Sequence, residues 1–256
     1  MADHLNPSDN GASHFSRTGS EASVDASLSS GATNRNTGKR AAAGGKPSHQ
    51  PNYFIAVPVS NPGIHEAAST VHQGILEKNA ALQPAMVSIT KSHITLMVLR
   101  LDGDEDIAKA RLALDACHAK LTCAPDKPTW PVAVPFRGLS HFNHSVLYID
   151  PVESDGLTRL HHMAGIVESC FADHGLHTPD ARNKFTPHLT LMKLSKAPEL
   201  RRKNIKRIHT EVYEAFREHD FGVEHISRLQ LCSMTLPQDA KTGYYFCEKE
   251  VDLLLS

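Results

Sequence analysis

Seven residues of this chain are written twice, and the repetition limits what the chain can fold into. His93-Ile94-Thr95-Leu96-Met97-Val98-Leu99 and His188-Leu189-Thr190-Leu191-Met192-Lys193-Leu194 agree at five of seven positions. A sixth position exchanges Ile for Leu. Both copies have the composition of a strand, and strand side chains alternate between faces. His93 and Thr95 are therefore expected on one face, with Ile94, Leu96 and Val98 on the other. The same alternation sets His188 and Thr190 against Leu189 and Leu191. Two similar lobes, each offering one imidazole and one hydroxyl, would meet about a pseudo-twofold axis and line a shared cleft. Two imidazoles so placed can divide acid and base roles on a phosphodiester, with a neutral ring taking a proton and an imidazolium giving one. The hydroxyls of Thr95 and Thr190 would donate to the non-bridging oxygens. No metal or other cofactor is needed.

Composition fits a folded enzyme more easily than a polyelectrolyte binder. The chain has 256 residues, 40% of them hydrophobic, and a net charge of −1, so no global field draws it to nucleic acid or membrane. No apolar run is long enough to cross a bilayer, and no signal peptide opens the chain. Five cysteines form no C-x-x-C pair and are odd in number, as expected of reduced thiols in the cytoplasm or nucleus.

Residues 1–50 are rich in Ser, Gly, Ala, Asn and Thr, and after Met1 their only large apolar residues are Leu5, Phe15, Val24 and Leu28. Such a segment cannot offset its ordering entropy, so it is read as a disordered tail. One domain is expected over 51–252. Within it, strands are predicted at 53–57, 92–101, 132–136, 145–149, the second motif, 227–234 and 244–251. Helices are predicted over 63–82, 104–121 and 155–174, with a shorter one near 210–217 and a loop at 137–144. The second half of the domain repeats the order of the first. Alternation of helices with hairpins favours an α+β fold with antiparallel sheets.

Other features admit plain explanations. Arg201, Arg202, Lys203, Lys206 and Arg207 form a basic run read as a solvated loop and helix entry, with an import signal or a local field for an anionic oligonucleotide as the functional alternatives. Phe142 is a candidate for stacking on a base, and packing under its loop is the competing reading. His141-x-x-His144 and His161-His162 lack a Cys or acidic partner at zinc spacing, so no metal site is expected. Trp130 is expected in the core.

The doubled H-x-T motif resembles the two-histidine (2H) phosphoesterase superfamily. Further segments resemble one of its branches, the A-kinase anchor protein 7 central-domain family. They are Pro51-Asn52-Tyr53-Phe54, Val57-Pro58-Val59, Ala85-Met86-Val87-Ser88, the run from Lys184 to Lys196, Leu231-Cys232-Ser233-Met234, Gly243-Tyr244-Tyr245 and Cys247-Glu248. The resemblance spans about residues 51–251. It implies a bilobal, LigT-like α+β fold around a pseudo-twofold cleft, and a site that takes AMP, CMP or a short 2′,5′-linked oligoadenylate. By position it makes His93 and His188 the acid–base pair, with Thr95, Pro187, His188, Leu189 and Thr190 holding phosphate and ribose. The expected function is a metal-independent 2H phosphodiesterase acting on 2′,5′-oligoadenylate or a related short RNA ester. The alternative is a non-catalytic AMP/CMP sensor or scaffold. The family also suggests the regulatory subunit of protein kinase A as a partner. Here the sequence stops at Leu253-Leu254-Leu255-Ser256 without a docking helix, which puts anchoring in doubt.

Overall fold

The computed structural model of the protein describes residues 50–123, 129–179 and 185–254. The tail expected over residues 1–50 lies outside them, apart from its last residue. In chain order the elements are β1 (Tyr53–Pro58), α1 (Pro62–Lys78), β2 (His93–Leu99), α2 (Asp104–Cys123), β3 (Val132–Phe142), β4 (Val146–Pro151), α3 (Asp155–Asp173), β5 (Leu189–Lys193), α4 (Pro198–Arg202), β6 (Asp220–Ile226), β7 (Arg228–Ser233) and β8 (Phe246–Asp252).

The helices begin where local chemistry satisfies their first amides. Asn61 accepts the Gly63 amide at 2.8 Å ahead of Pro62, and Ser154 accepts that of Leu157 at 3.2 Å. Asp104, Glu105 and Asp106 place negative charge at the positive end of α2. In α1, Ile64, Ala68, Val71 and Ile75 form the buried stripe. That helix ends at Lys78, short of the expected position 82, because Asn79 leaves helical geometry and caps a 3₁₀ turn, Ala80–Ala85, containing Pro84.

Two four-stranded antiparallel sheets form, in the orders β2-β1-β7-β8 and β5-β4-β3-β6. The orders match element for element: each motif strand lies at an edge, beside β1 in one sheet and β4 in the other. The second sheet is built from the middle of the chain. The first is completed only when β7 and β8 return to it, so the lobes are not the two halves of the chain. Helix α3 packs on α2, β3 and β2, and one continuous buried cluster draws residues from both sheets. Trp130 packs against it half-buried. Among the described residues, no helix is long and apolar enough to cross a membrane.

Three sequence expectations change. The expected 137–144 loop is largely strand, because β3 continues through Phe142 before turning into β4. Strand β6 was not foreseen: Gly222 (φ 91°) and the buried Glu224 interrupt its alternation. Glu224 is buried because it accepts the amides of Ser60 and Asn61, at 3.0 and 2.9 Å, and so fixes the entry to α1. The short helix expected near 210–217 is two 3₁₀ turns, Thr210–Val212 and Glu214–Phe216.

Candidate active site

The motif strands do not alternate throughout. In the first sheet Ile55 pairs with Met97 and Ala56 with Thr95, so Leu96 is skipped. In the second, Leu147 pairs with Met192 and Tyr148 with Thr190, so Leu191 is skipped. The same β-bulge thus occurs at the same motif position in both lobes. It lets two consecutive residues face the core, Leu96 with Met97 and Leu191 with Met192, and reverses the phase beyond them. Val98 is consequently on the same face as Thr95, contrary to simple alternation, and it packs with Phe54, Ala56, Cys232, Tyr244 and Tyr245. The second bulge also joins the lobes. The Leu191 carbonyl accepts from the Val87 amide (2.8 Å) and from His72 Nε2 (3.0 Å), and Met86 bridges to Met192.

Each motif histidine is held in the same way. His93 Nδ1 lies 2.7 Å from the Lys91 carbonyl and His188 Nδ1 lies 2.8 Å from that of Thr186. A carbonyl only accepts, so in both neutral rings the proton is assigned to Nδ1 and the lone pair to Nε2. The Thr95 hydroxyl, 3.1 Å from His93 Nε2, donates to that lone pair.

Aromatic rings box both imidazoles. Phe54 lies 4.8 Å from His93, and Tyr245 meets the same ring edge-on at 5.4 Å. Phe142 and Tyr148 meet His188 at 5.0 and 5.3 Å. These contacts hold the ring orientations and partly bury both rings. Burial, followed by the positive charge of His188, pushes the His93 pKa down to about 4 against the stabilising Lys91 carbonyl. Burial also lowers His188, with Lys193 adding to the effect. The charge of His188 is felt at His93, and the two motif strands β2 and β5 lie against each other. The sequence expectation of one neutral ring and one imidazolium is therefore corrected for the free protein, since burial disfavours the charged form of both rings.

The other sequence candidates are placed as follows. Thr190 is half-buried on the face of β5 that bears His188. Pro187 and Leu189 are buried, so Leu189 can offer a ligand only its backbone. Phe142 ends β3, packs tilted against Tyr148 at 4.4 Å and meets His188 edge-on. His141 and His144 stack on each other at 3.8 Å. Among the described residues no group of three or more His, Cys, Asp or Glu side chains could hold a metal ion. Sequence reasoning missed the boxing role of Phe54, Tyr148 and Tyr245. For Tyr148 the available signal was its place on the strand that pairs with the second motif.

The sequence matches the family model described as the AKAP7 2′5′ RNA ligase-like domain over residues 51–253. The chain belongs to that family. Human A-kinase anchor protein 7 isoform gamma is 33% identical over 204 residues, covering 79% of this chain and 57% of the relative. The chain thus spans little more than half the length of this relative. Among solved structures, Escherichia coli LigT complexed with ATP aligns with a TM-score of 0.51 at 14% identity, covering 79% of this chain and 98% of LigT. TT0787 of Thermus thermophilus gives 0.51 at 19% identity, with the same coverage. The fold is that of the 2H phosphoesterases, and the bilobal α+β expectation holds.

Proposed function

We propose that residues 51–252 form a metal-independent phosphodiesterase acting on 2′,5′-oligoadenylate or a related short RNA phosphodiester. The observation that carries this reading is the matched pair of imidazoles, one per lobe, each with Nδ1 tied to the carbonyl two residues earlier. That arrangement leaves both Nε2 atoms for chemistry. His93, the ring whose charge is more strongly disfavoured, stays neutral and takes the proton of the attacking water or ribose hydroxyl. His188 becomes protonated when the phosphate brings negative charge into the cleft, and it protonates the leaving ribose oxygen. The Thr95 hydroxyl must turn from His93 Nε2 to a non-bridging oxygen, freeing the base as the substrate arrives. Thr190 donates from the opposite lobe. Phe142 offers its ring to a base beside the scissile linkage.

The test is to incubate the protein with 2′,5′- and 3′,5′-linked triadenylate in EDTA and follow both by chromatography. Cleavage of the 2′,5′ linkage in EDTA, lost by about 10²-fold or more in His93→Ala and in His188→Ala, supports the scheme. If neither linkage is cleaved while AMP still binds, the domain is a nucleotide-binding module instead. Dependence on added metal would overturn the mechanism.

A further inference from the structure

The two motif copies differ in charge at one position, Val98 against Lys193, and the bulge makes that position matter. In β1–β2, Phe54 and Ala56 lie two residues apart on one face and pair with Val98 and Thr95. In β4–β5, Val146 and Tyr148 pair in the same way with Lys193 and Thr190. Lys193 is therefore the pseudo-twofold counterpart of Val98 and shares a face with Thr190. Without the bulge it would point into the core. The first lobe fills its counterpart position with an apolar cluster under Tyr244 and Tyr245. The second lobe presents an ammonium group there.

Two further lysines flank the motif strands, Lys91 just before β2 and Lys196 just after β5. Lys196 donates to the Met86 carbonyl at 3.3 Å, at the seam where Met86 bridges to Met192. The Lys91 ammonium lies 5.4 Å from the centre of the Tyr245 ring, which itself borders His93. Burial lowers the pKa of Lys196, and the charges of Lys91 and Lys193 lower it further. Crowded ammonium groups disfavour one another, and a polyanion placed among them relieves the repulsion.

We propose that Lys193, Lys91 and Lys196 form a second anion subsite on one side of the cleft, which takes a further phosphate of the substrate next to the one held between the histidines. The inference rests on the proposed phosphodiesterase reading and deepens it. The preferred ligand carries two phosphates joined through one ribose, and the charge asymmetry gives the cleft a direction along the oligonucleotide. The second phosphate can be terminal or an internal diester, since both present anionic oxygens to lysine.

Titration calorimetry on the full chain tests this. One arm compares AMP with adenosine 2′,5′-bisphosphate, and the other, run in a His93→Ala background that does not cut the linkage, compares 2′,5′-linked diadenylate with triadenylate, both lacking terminal phosphates. A gain of about tenfold or more for the second phosphate is expected, falling to near threefold or less in Lys193→Val and retained in Lys193→Arg. The gain should also shrink as salt rises. A gain in the first arm alone identifies a terminal phosphate as the occupant, and a gain in the second an internal diester. A ratio near one in both arms, or a ratio untouched by Lys193→Val and Lys196→Gln, overturns the subsite. If that result accompanies intact histidine-dependent cleavage, the phosphodiesterase reading stands and only the subsite fails. A lysine-dependent preference without any cleavage upholds the subsite and removes the phosphodiesterase reading.

Discussion

At the scale of single residues, the consequential property of the candidate site is that burial disfavours the charged form of both its histidines. His93 is driven to about pKa 4 by burial, while the unfolded chain returns it to 6.5. As pH falls below 6.5 the unfolded state takes up this proton first, so the folded protein loses stability, and the loss is complete near pH 4. For this ring alone it amounts to roughly 3 kcal/mol. Denaturant titrations at pH 7 and pH 4.5 should show a smaller acid penalty in His93→Ala than in the unsubstituted chain. Equal penalties would mean that His93 is not buried as a neutral ring. A bound phosphate works in the opposite direction by stabilising imidazolium. AMP affinity should therefore strengthen as pH falls from 8 towards 6, with proton uptake measurable in buffers of different ionisation enthalpy. In the same way, the acid limb of kcat/KM, which reports the free protein, should lie below that of kcat. Affinity independent of pH over this range would argue against a proton joining the histidine pair on binding.

At the scale of elements, positions that look incidental in the sequence hold the site's supports in place. Glu224 in β6 accepts two backbone amides at the start of α1. Glu224→Ala should cost about 1–3 kcal/mol in chemical denaturation, because those part-buried amides lose their acceptor. In α3, a Cβ added to Gly156 would lie 1.8 Å from the Ala133 carbonyl oxygen of β3. Gly156→Ala must push helix from strand and should destabilise by roughly 1–3 kcal/mol. A neutral result would show that the helix does not approach the sheet so closely. The helices with a capping residue and a clear apolar stripe were legible in the sequence, as were the motif strands. Strand β6 was not, because one of its buried positions is a glutamate and its glycine breaks the alternation. The histidines and threonines were legible through repetition alone. Their aromatic neighbours were not, since Phe54, Tyr148 and Tyr245 reach them through strand pairing and a returning segment from the end of the domain. The bulge left one trace: each copy follows its threonine with Leu-Met, two consecutive apolar residues where alternation calls for one. Reading that pair as a bulge would have placed Val98 and Lys193 on the same faces as Thr95 and Thr190.

At the scale of the molecule, the two lobes are similar in topology but not separable. The first sheet takes β1 and β2 from the beginning of the domain and β7 and β8 from its end, with the whole second sheet lying between them in sequence. Helices α2 and α3 pack on each other, and the buried core runs through both sheets. Neither lobe can lose its structure without exposing apolar surface of the other, so unfolding should be all-or-none. Heating followed in parallel by backbone dichroism and by Trp130 fluorescence should give superimposable curves, with calorimetric and van't Hoff enthalpies in agreement. A ligand bound between the lobes stabilises the whole unit by mass action, about 2.7 kcal/mol when its concentration is about 100 times its Kd. AMP should therefore raise the midpoint of that single transition without splitting it. Two resolved transitions, or an AMP-induced shift in only one of them, would mean that the lobes fold independently and that the nucleotide sits within one lobe instead of between them.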